Sequence, residues 1–262
     1  MISFSVPGGG VGPHIDQYDV FIIQGMGSRR WRVGDKLPMR QFCPHPALLH
    51  VDPFPPIIDE DLQPGDILYI PPGFPHDGIT HETALNYSVG FRGPNGRDLI
   101  SSFADYVLEN DLGGEHYSDP DLTCREHPGR VEEYELERLR TMMIDMIRQP
   151  EDFKQWFGSF VTTPRHELDI APAEPPYEEE EVLDALLGGE KLSRLSGLRV
   201  LHIGDSFFVH SEQLDTTDAE ALDALCRYTS LGQEELGSGL QNPAFVSELT
   251  RLINQGYWYF EE

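Results

Sequence analysis

The apolar positions of the first 95 residues come in short stretches cut by turn residues. "ISFSV" (2–6), "YDVFIIQG" (18–25), "RRWRV" (29–33), "HPALLHV" (45–51), "PGDILYIPPG" (64–73) and "ALNYSVGF" (84–91) each read as a strand, with glycine or proline at nearly every junction. No helical period interrupts them. An antiparallel sandwich or barrel is expected here rather than a parallel α/β sheet.

From residue 97 the apolar period becomes helical. "RDLISSFADYVLEN" puts Leu99, Phe103, Tyr106 and Val107 on one face. "VEEYELERLRTMMIDMIRQ" spaces Leu136, Leu139, Met143 and Met146 by three and four, and "EDFKQWFGSF" adds Phe153, Trp156, Phe157 and Phe160. These faces are too broad for so short a segment to bury internally. They pack on the β region or form a subunit interface. "DIAPAEPPYEEEE" (169–181) follows. Its prolines and adjacent glutamates predict a semi-extended linker. Beyond it, "GLRVLHIGD" and "SFFVHSEQL" predict two strands around a turn, and "YWYF" a last strand. "DAEALDALCRYTS" and "NPAFVSELTRLINQG" predict helices, the second with Asn242 as N-cap and Pro243 at its first position. Helices beside a short sheet resemble a winged-helix module. Its recognition helix would be poor in basic residues, so protein contact is expected and direct DNA binding is not. The expected layout is α+β: a jelly-roll barrel over 1–96, a helical region over 97–163, a linker over 164–182 and a winged-helix-like unit over 183–262.

The chemistry lies in the β region. In "GPHIDQYDV" (12–20), His14 and Asp16 stand two apart, so on a strand both point to one face. An imidazole and a carboxylate there suit Fe(II), Mn or Zn. Alone, the pair is equally a turn in which the aspartate caps its own backbone. "PGDILYIPPGFPHDG" adds His76 just after a proline-stiffened turn that would fix its direction. Two histidines and one carboxylate are the facial triad of non-haem Fe(II) oxygenases. Three open positions remain, two for a chelating 2-oxo acid and one for dioxygen.

Such a co-substrate needs a cation for its distal carboxylate. In "GSRRWRV", Arg29, Trp31 and Val33 share one strand face. Trp31 and Val33 favour the interior, so Arg29 is expected inside, where it needs an anionic partner. That partner is a bound carboxylate or one of the chain's own acids. Ser3, Ser5, Asn86 and Ser88 offer further hydrogen bonds. His81 is the rival third ligand, set aside because "GITHET" looks mobile; His45 and His50 are less persuasive. The remaining five histidines fall outside the β region. "PGGGVG" has no following helix and fails as a phosphate loop.

Composition narrows the partners. The 262 residues carry a formal charge of −26, which disfavours nucleic acid and favours a basic protein. No run approaches the roughly 18 apolar residues of a membrane span, and no signal core opens the chain, so a cytoplasmic protein with no membrane contact is expected. The three cysteines, Cys43, Cys124 and Cys226, are far apart and read as buried or idle thiols.

"SFSVPGGGVGPHIDQYDVFIIQG", "RRWRV", "GDILYIPPGFPH" and "NYSVGFRGPN" together resemble the bacterial JmjC-type ribosomal oxygenases, cupin-fold arginine hydroxylases, and the likeness runs to the C-terminus. The resemblance implies a JmjC barrel, a helical region that makes a homodimer, and a winged-helix domain. It implies Fe(II) at His14, Asp16 and His76, and 2-oxoglutarate held by Arg29 with help near Ser3. It implies hydroxylation of an arginine on a large-subunit ribosomal protein, with dioxygen consumed and succinate and CO2 released. Family members carry strands before the first motif here, so a barrel with open edges is expected, from a late start or a real truncation. The competing expectations are an inactive acidic dimeric module that binds ribosomal protein, and a cupin using another metal such as Mn or Zn.

Overall fold

The computed structural model describes residues 1–45, 48–120, 122–127, 129–215 and 218–261. A first unit, Met1–Asp98, runs β1 (Ile2–Ser5), β2 (His14–Ile15), β3 (Asp19–Met26), β4 (Arg29–Gly34), β5 (Gln41–His45), β6 (Leu48–Val51), β7 (Pro56–Leu62), β8 (Ile67–Ile70), β9 (Pro75–Thr80) and β10 (Ala84–Phe91). They pair antiparallel into two sheets, ordered β1-β10-β3-β8 and β5-β6-β2-β9-β4-β7. The chain therefore crosses between sheets repeatedly, as in a jelly roll. Val20 and Ile22 of β3 and Leu68 and Ile70 of β8 bury against Trp31 and Val33 of β4, closing the two inner faces on each other. On β3 the buried positions alternate, Val20, Ile22 and Gln24, as period two requires. The outer face of the four-stranded sheet is also apolar. Ile2, Tyr87, Ile23 and Ile67 form one cross-strand row, and Val89, Phe21 and Tyr69 the next.

Three strands lack the expected signal. β7 is "PIIDEDL", an acidic edge strand paired only with β4 and mostly exposed, so it shows no inside–outside alternation. β5, "QFCPH", is likewise an edge strand. β9 is "PHDGIT", whose proline, aspartate and glycine read as a loop. His76, just after the proline turn as expected, is thus the second residue of a strand. Gly78–Thr80, expected to be mobile, pair with β4 instead.

The second unit, Leu99–Glu262, contains most of α1 (Gly96–Glu109), then α2 (Glu133–Arg148), α3 (Pro150–Thr162), α4 (Glu179–Leu187), β11 (Leu192–Arg194), β12 (Val200–Ile203), β13 (Ser206–Val209), β14 (Glu212–Gln213), α5 (Ala219–Arg227), β15 (Ser230–Leu231), α6 (Gln233–Leu236), a 3-10 turn (Gly237–Gln241), α7 (Pro243–Asn254) and β16 (Trp258–Phe260). Two small sheets, β15-β11-β16 and β12-β13-β14, flank one core in which Leu222, Leu225, Phe245, Leu249, Leu252 and Trp258 are buried. α7 starts as its sequence signals. Asn242 accepts the Ala244 N–H at 3.1 Å, and Pro243 occupies the first turn.

Three expectations change. The linker reading of 164–182 fails at its end, because Glu179–Glu181 form the first turn of α4 behind a Glu178 capping box. Mutual repulsion is outweighed there by the helix dipole, which favours carboxylates at an N-terminus, and by burial of Val182 and Leu186. Leu168 and Ile170 of the same segment pack on the core, so it is docked. The boundary at 163 separates no packing units: α3 is tied to the C-terminal sheets where the Ser211 N–H donates to Thr162 Oγ1 at 3.0 Å and Arg199 donates to the Val161 carbonyl at 3.1 Å. Finally, Cys43 and Cys124 are exposed, not buried. Among the described residues no helix is long and apolar enough to cross a membrane.

α1 and α3 share an aromatic contact, Phe103 against Trp156 at 5.1 Å, with the Trp156 N–H donating to Ser102 Oγ. α2 buries none of its residues within the chain, and Leu136, Leu139 and Met143 stay exposed.

Leu249 is fully buried in the second core. Leu249→Ala should cost about 3 kcal/mol, read as a lower urea midpoint for this unit. Glu234→Ala, at an exposed position, should change it by less than about 0.5 kcal/mol.

A candidate metal centre in the first unit

β2 pairs with β9 so that His14 lies directly across from His76, and with β6 so that His14 also faces His50. Directly paired residues project to one side of the sheet, and here that side is the interior: His14 is 8% and His76 2% exposed. Asp16 follows the two-residue β2 and comes from the chain just beyond it, half-buried. Its carbonyl accepts the Gly73 N–H at 2.8 Å. The stiff "PPGF" turn is thereby pinned beside Asp16, which sets where β9 begins.

One ligand atom from each of His14, Asp16 and His76 lies within 4.8 Å of the other two. The imidazoles are held for ligation. His14 Nδ1 meets the Gly12 carbonyl at 2.9 Å, and His76 Nδ1 meets the Phe74 carbonyl at 3.0 Å. A carbonyl only accepts, so each Nδ1 carries the proton and each Nε2 keeps a lone pair, the usual anchoring of metal-binding histidines. Burial, and then the neighbouring His14, hold the His76 pKa well below the usual imidazole range. His76 is therefore neutral at neutral pH, and its Nε2 faces Asp16 Oδ2 at 3.6 Å. Two lone-pair donors facing each other without a proton suit a shared cation, and metal bonds of about 2.1 Å can bridge that gap. Tyr18 adds support. Its hydroxyl lies near Asp16: burial, and then that carboxylate, raise its pKa.

Along β4 and β9 the interior changes from the candidate metal ligands to a buried cation. Paired positions run Val33–His76, Trp31–Gly78 and Arg29–Thr80. Arg29 is 4% exposed. It donates to Asn86 Oδ1 at 2.8 Å and to the Gly78 carbonyl at 3.0 Å. No carboxylate of the described residues reaches ion-pair distance, and the enclosed Nε has no partner. Burial lowers its pKa, with Asp77 acting against that, but a guanidinium stays charged. A buried, charged group with an unused donor fits an anionic guest. Ser3 pairs with Asn86 across β1 and β10, and Gln24 pairs with Asn86 on its other side. Ser5 Oγ and Thr80 Oγ1 are 2.8 Å apart.

Tyr18, Gln24, Gly78 and Thr80 escaped the sequence reading. Tyr18 stands two residues after Asp16 and Gly78 two after His76, so strand parity could have flagged both. The glycine run has a structural use: the Gly8 N–H donates to the Thr80 carbonyl, and a Cβ at Gly10 would lie 2.5 Å from the Gly78 carbonyl oxygen. The loop lies on β9, which glycine alone permits. His81, the rival ligand, pairs with Asp61 at 3.2 Å on the surface. Ser88 is tied through its backbone N–H to the Met1 carbonyl.

Residues 1–99 match the family model of the JmjC domain, and residues 145–259 match the ROXA-like winged helix. The ribosomal protein uL16 3-hydroxylase of Escherichia coli (strain K12) is 62% identical over 261 residues, taking in 100% of this chain and 70% of that protein. The probable ribosomal oxygenase of Haemophilus influenzae is 29% identical over 88% of this chain and 61% of its own length. Among solved structures, E. coli YcfD, described as a ribosomal oxygenase in complex with cobalt and 2-oxoglutarate, superposes with a TM-score of 0.91 at 59% identity, over 100% of this chain and 69% of that one. The same protein has been solved with cobalt and succinic acid. Fold, matched domains and identity across the whole chain agree: it belongs to the JmjC ribosomal oxygenases.

Proposed function

We propose that this chain is a 2-oxoglutarate-dependent Fe(II) oxygenase that hydroxylates a side chain of a large-subunit ribosomal protein. The observation that carries it is the meeting of two anchors across three adjacent strands, β2, β9 and β4: His14, Asp16 and His76 at one end, and Arg29, with no carboxylate of the described residues at ion-pair distance, at the other. The relatives' names point to the same substrate class and the same guest. We take the modified residue to be arginine, on the family resemblance and on the fit between a chain of net charge −26 and a basic partner.

His14, Asp16 and His76 hold the metal. Iron, when bound, supplies with 2-oxoglutarate and dioxygen the oxidising power to hydroxylate a C–H bond, with release of succinate and CO2. The chain's residues do the rest. Gly12 and Phe74 carbonyls fix the imidazole tautomers. Arg29 binds the carboxylate of 2-oxoglutarate remote from the metal, and Asn86 holds the guanidinium in place, with Ser3 beside it. Val20, Ile22, Val33, Leu68 and Ile70 keep water from the interior.

We further propose that Leu136, Leu139 and Met143 of α2 pack against a second copy of the chain. They are large apolar groups on one helical face that the chain itself leaves uncovered.

Incubation with uL16, Fe(II), 2-oxoglutarate and air should give a product heavier by one oxygen atom, seen by mass spectrometry. His14→Ala should give none and form no succinate; full turnover by that variant contradicts the assignment. Arg29→Lys should raise the KM for 2-oxoglutarate about 10–100-fold, the loss expected for one charged hydrogen-bonded pair. Met143→Glu should lower the molar mass in light scattering to that of one chain, and an unchanged mass would remove α2 from the interface.

A further inference from the structure

We propose that Trp31 is a co-substrate-binding residue: its indole N–H, together with the unused Nε–H of Arg29, holds the carboxylate of 2-oxoglutarate that lies away from the metal. The inference rests on the 2-oxoglutarate reading above.

Trp31 is 4% exposed, and among the described residues its Nε1 has no hydrogen-bond partner. A buried indole N–H normally finds an acceptor, and leaving the bond unmade is destabilising. The Arg29 Nε is in the same condition. The two orphans are neighbours, because residues i and i+2 of β4 share a face and the Arg29 Cζ lies 4.7 Å from the Trp31 ring centroid. Both are donors, so they cannot satisfy each other. They require an acceptor brought from elsewhere, and a carboxylate oxygen is one.

The space around them is preserved. A Cβ at Gly78 would stand 2.8 Å from Arg29 Nε and 3.0 Å from both Cζ2 and Cη2 of Trp31. Glycine across the strand pair is therefore what lets the guanidinium and the indole lie side by side. Trp31 also sits between the two anchors, one pair from the Val33–His76 rung and one from the Arg29–Thr80 rung, with its ring 6.3 Å from the His76 ring. A guest that spans from the metal ligands to Arg29 must pass it. Gln24 meets a different need. Its Nε2 donates to the Met26 and Gly27 carbonyls, which leaves Oε1 an orphan acceptor. An acceptor gains nothing from a carboxylate, so Gln24 is excluded from this role.

The test uses the full chain loaded with Zn(II), which is diamagnetic and does not turn over. Calorimetric titration with 2-oxoglutarate should show binding about ten-fold weaker for Trp31→Phe than for the unaltered chain, with Zn(II) affinity unchanged. Phenylalanine keeps the ring beside Arg29 and removes only the N–H. A second readout needs no variant. The chain has three tryptophans, so 15N-tryptophan labelling gives three indole N–H signals, and the one in contact with the Arg29 side chain should move downfield at saturation while the other two stay. Equal affinity in Trp31→Phe, or a stationary Trp31 signal at saturating ligand, overturns the role of Trp31 and assigns its N–H to a fixed water. Failure of the unaltered chain to bind 2-oxoglutarate overturns the functional reading itself, and this inference with it.

Discussion

The register between β2 and β9 is the constraint on which the site depends. Side chains alternate along a strand, so a slip of one residue would turn His76 to the opposite face and bring Pro75 or Asp77 inward. The register is held from several directions. β9 is paired on its other side with β4 over five positions, Arg29–Thr80 to Val33–His76. The Gly73–Asp16 backbone bond ties the turn before β9 to the end of β2. The glycine loop of residues 8–10 bonds to Thr80 at the far end. The candidate ligands are thus set by backbone hydrogen bonds, and the imidazoles need only their Nδ1–carbonyl bonds to fix ring rotation and tautomer.

Strand β9, paired with β2 on one side and β4 on the other, explains why two chemically different anchors lie in one interior. A charged arginine is costly to bury without a counter-ion. The chain meets that cost only in part, with the Asn86 and Gly78 oxygens, and leaves Nε without a partner. A protein rich in acidic residues, 45 against 19 basic ones, places none of their carboxylates on this guanidinium among the described residues. By contrast Arg125 is paired with Glu135 at 2.7 Å and Arg251 with Glu248 at 2.7 Å. This is the arrangement that the proposed function needs: Arg29 open to a guest, and the lone pairs near the start of β9 open to a cation. Neither half alone specifies the chemistry; their fixed separation across β2, β9 and β4 fits the proposed ligand, a chelator at one end and a carboxylate at the other.

The sequence made some of this legible and concealed the rest for physical reasons. Period-two parity was enough to turn Arg29 inward with Trp31 and Val33, and the two-residue spacing was enough to put His14 beside Asp16. Strand β9 was hidden because its inward residues, His76, Gly78 and Thr80, are polar or absent: a functional strand gives up the apolar alternation by which strands are recognised. β7 was hidden because an edge strand exposed along most of its length has no buried face to mark. At α4 the same four glutamates support two readings, and only burial of Val182 and Leu186 decides for the helix. The helical faces were legible as apolar. The face of α2 stays uncovered within the chain, and the pattern of one chain does not encode a partner for it.

The central claim is that one pocket of this chain binds a metal at His14, Asp16 and His76 and a 2-oxo acid that reaches Arg29. The direct measurement is an anaerobic titration of 2-oxoglutarate into the Fe(II)-loaded chain, followed by visible absorption, since chelation of a 2-oxo acid to Fe(II) produces a charge-transfer colour. The account predicts a band that saturates at one equivalent per chain and is absent from folded Asp16→Ala. A folded, iron-loaded chain that develops no band, or an Asp16→Ala variant that develops the same one, would contradict it.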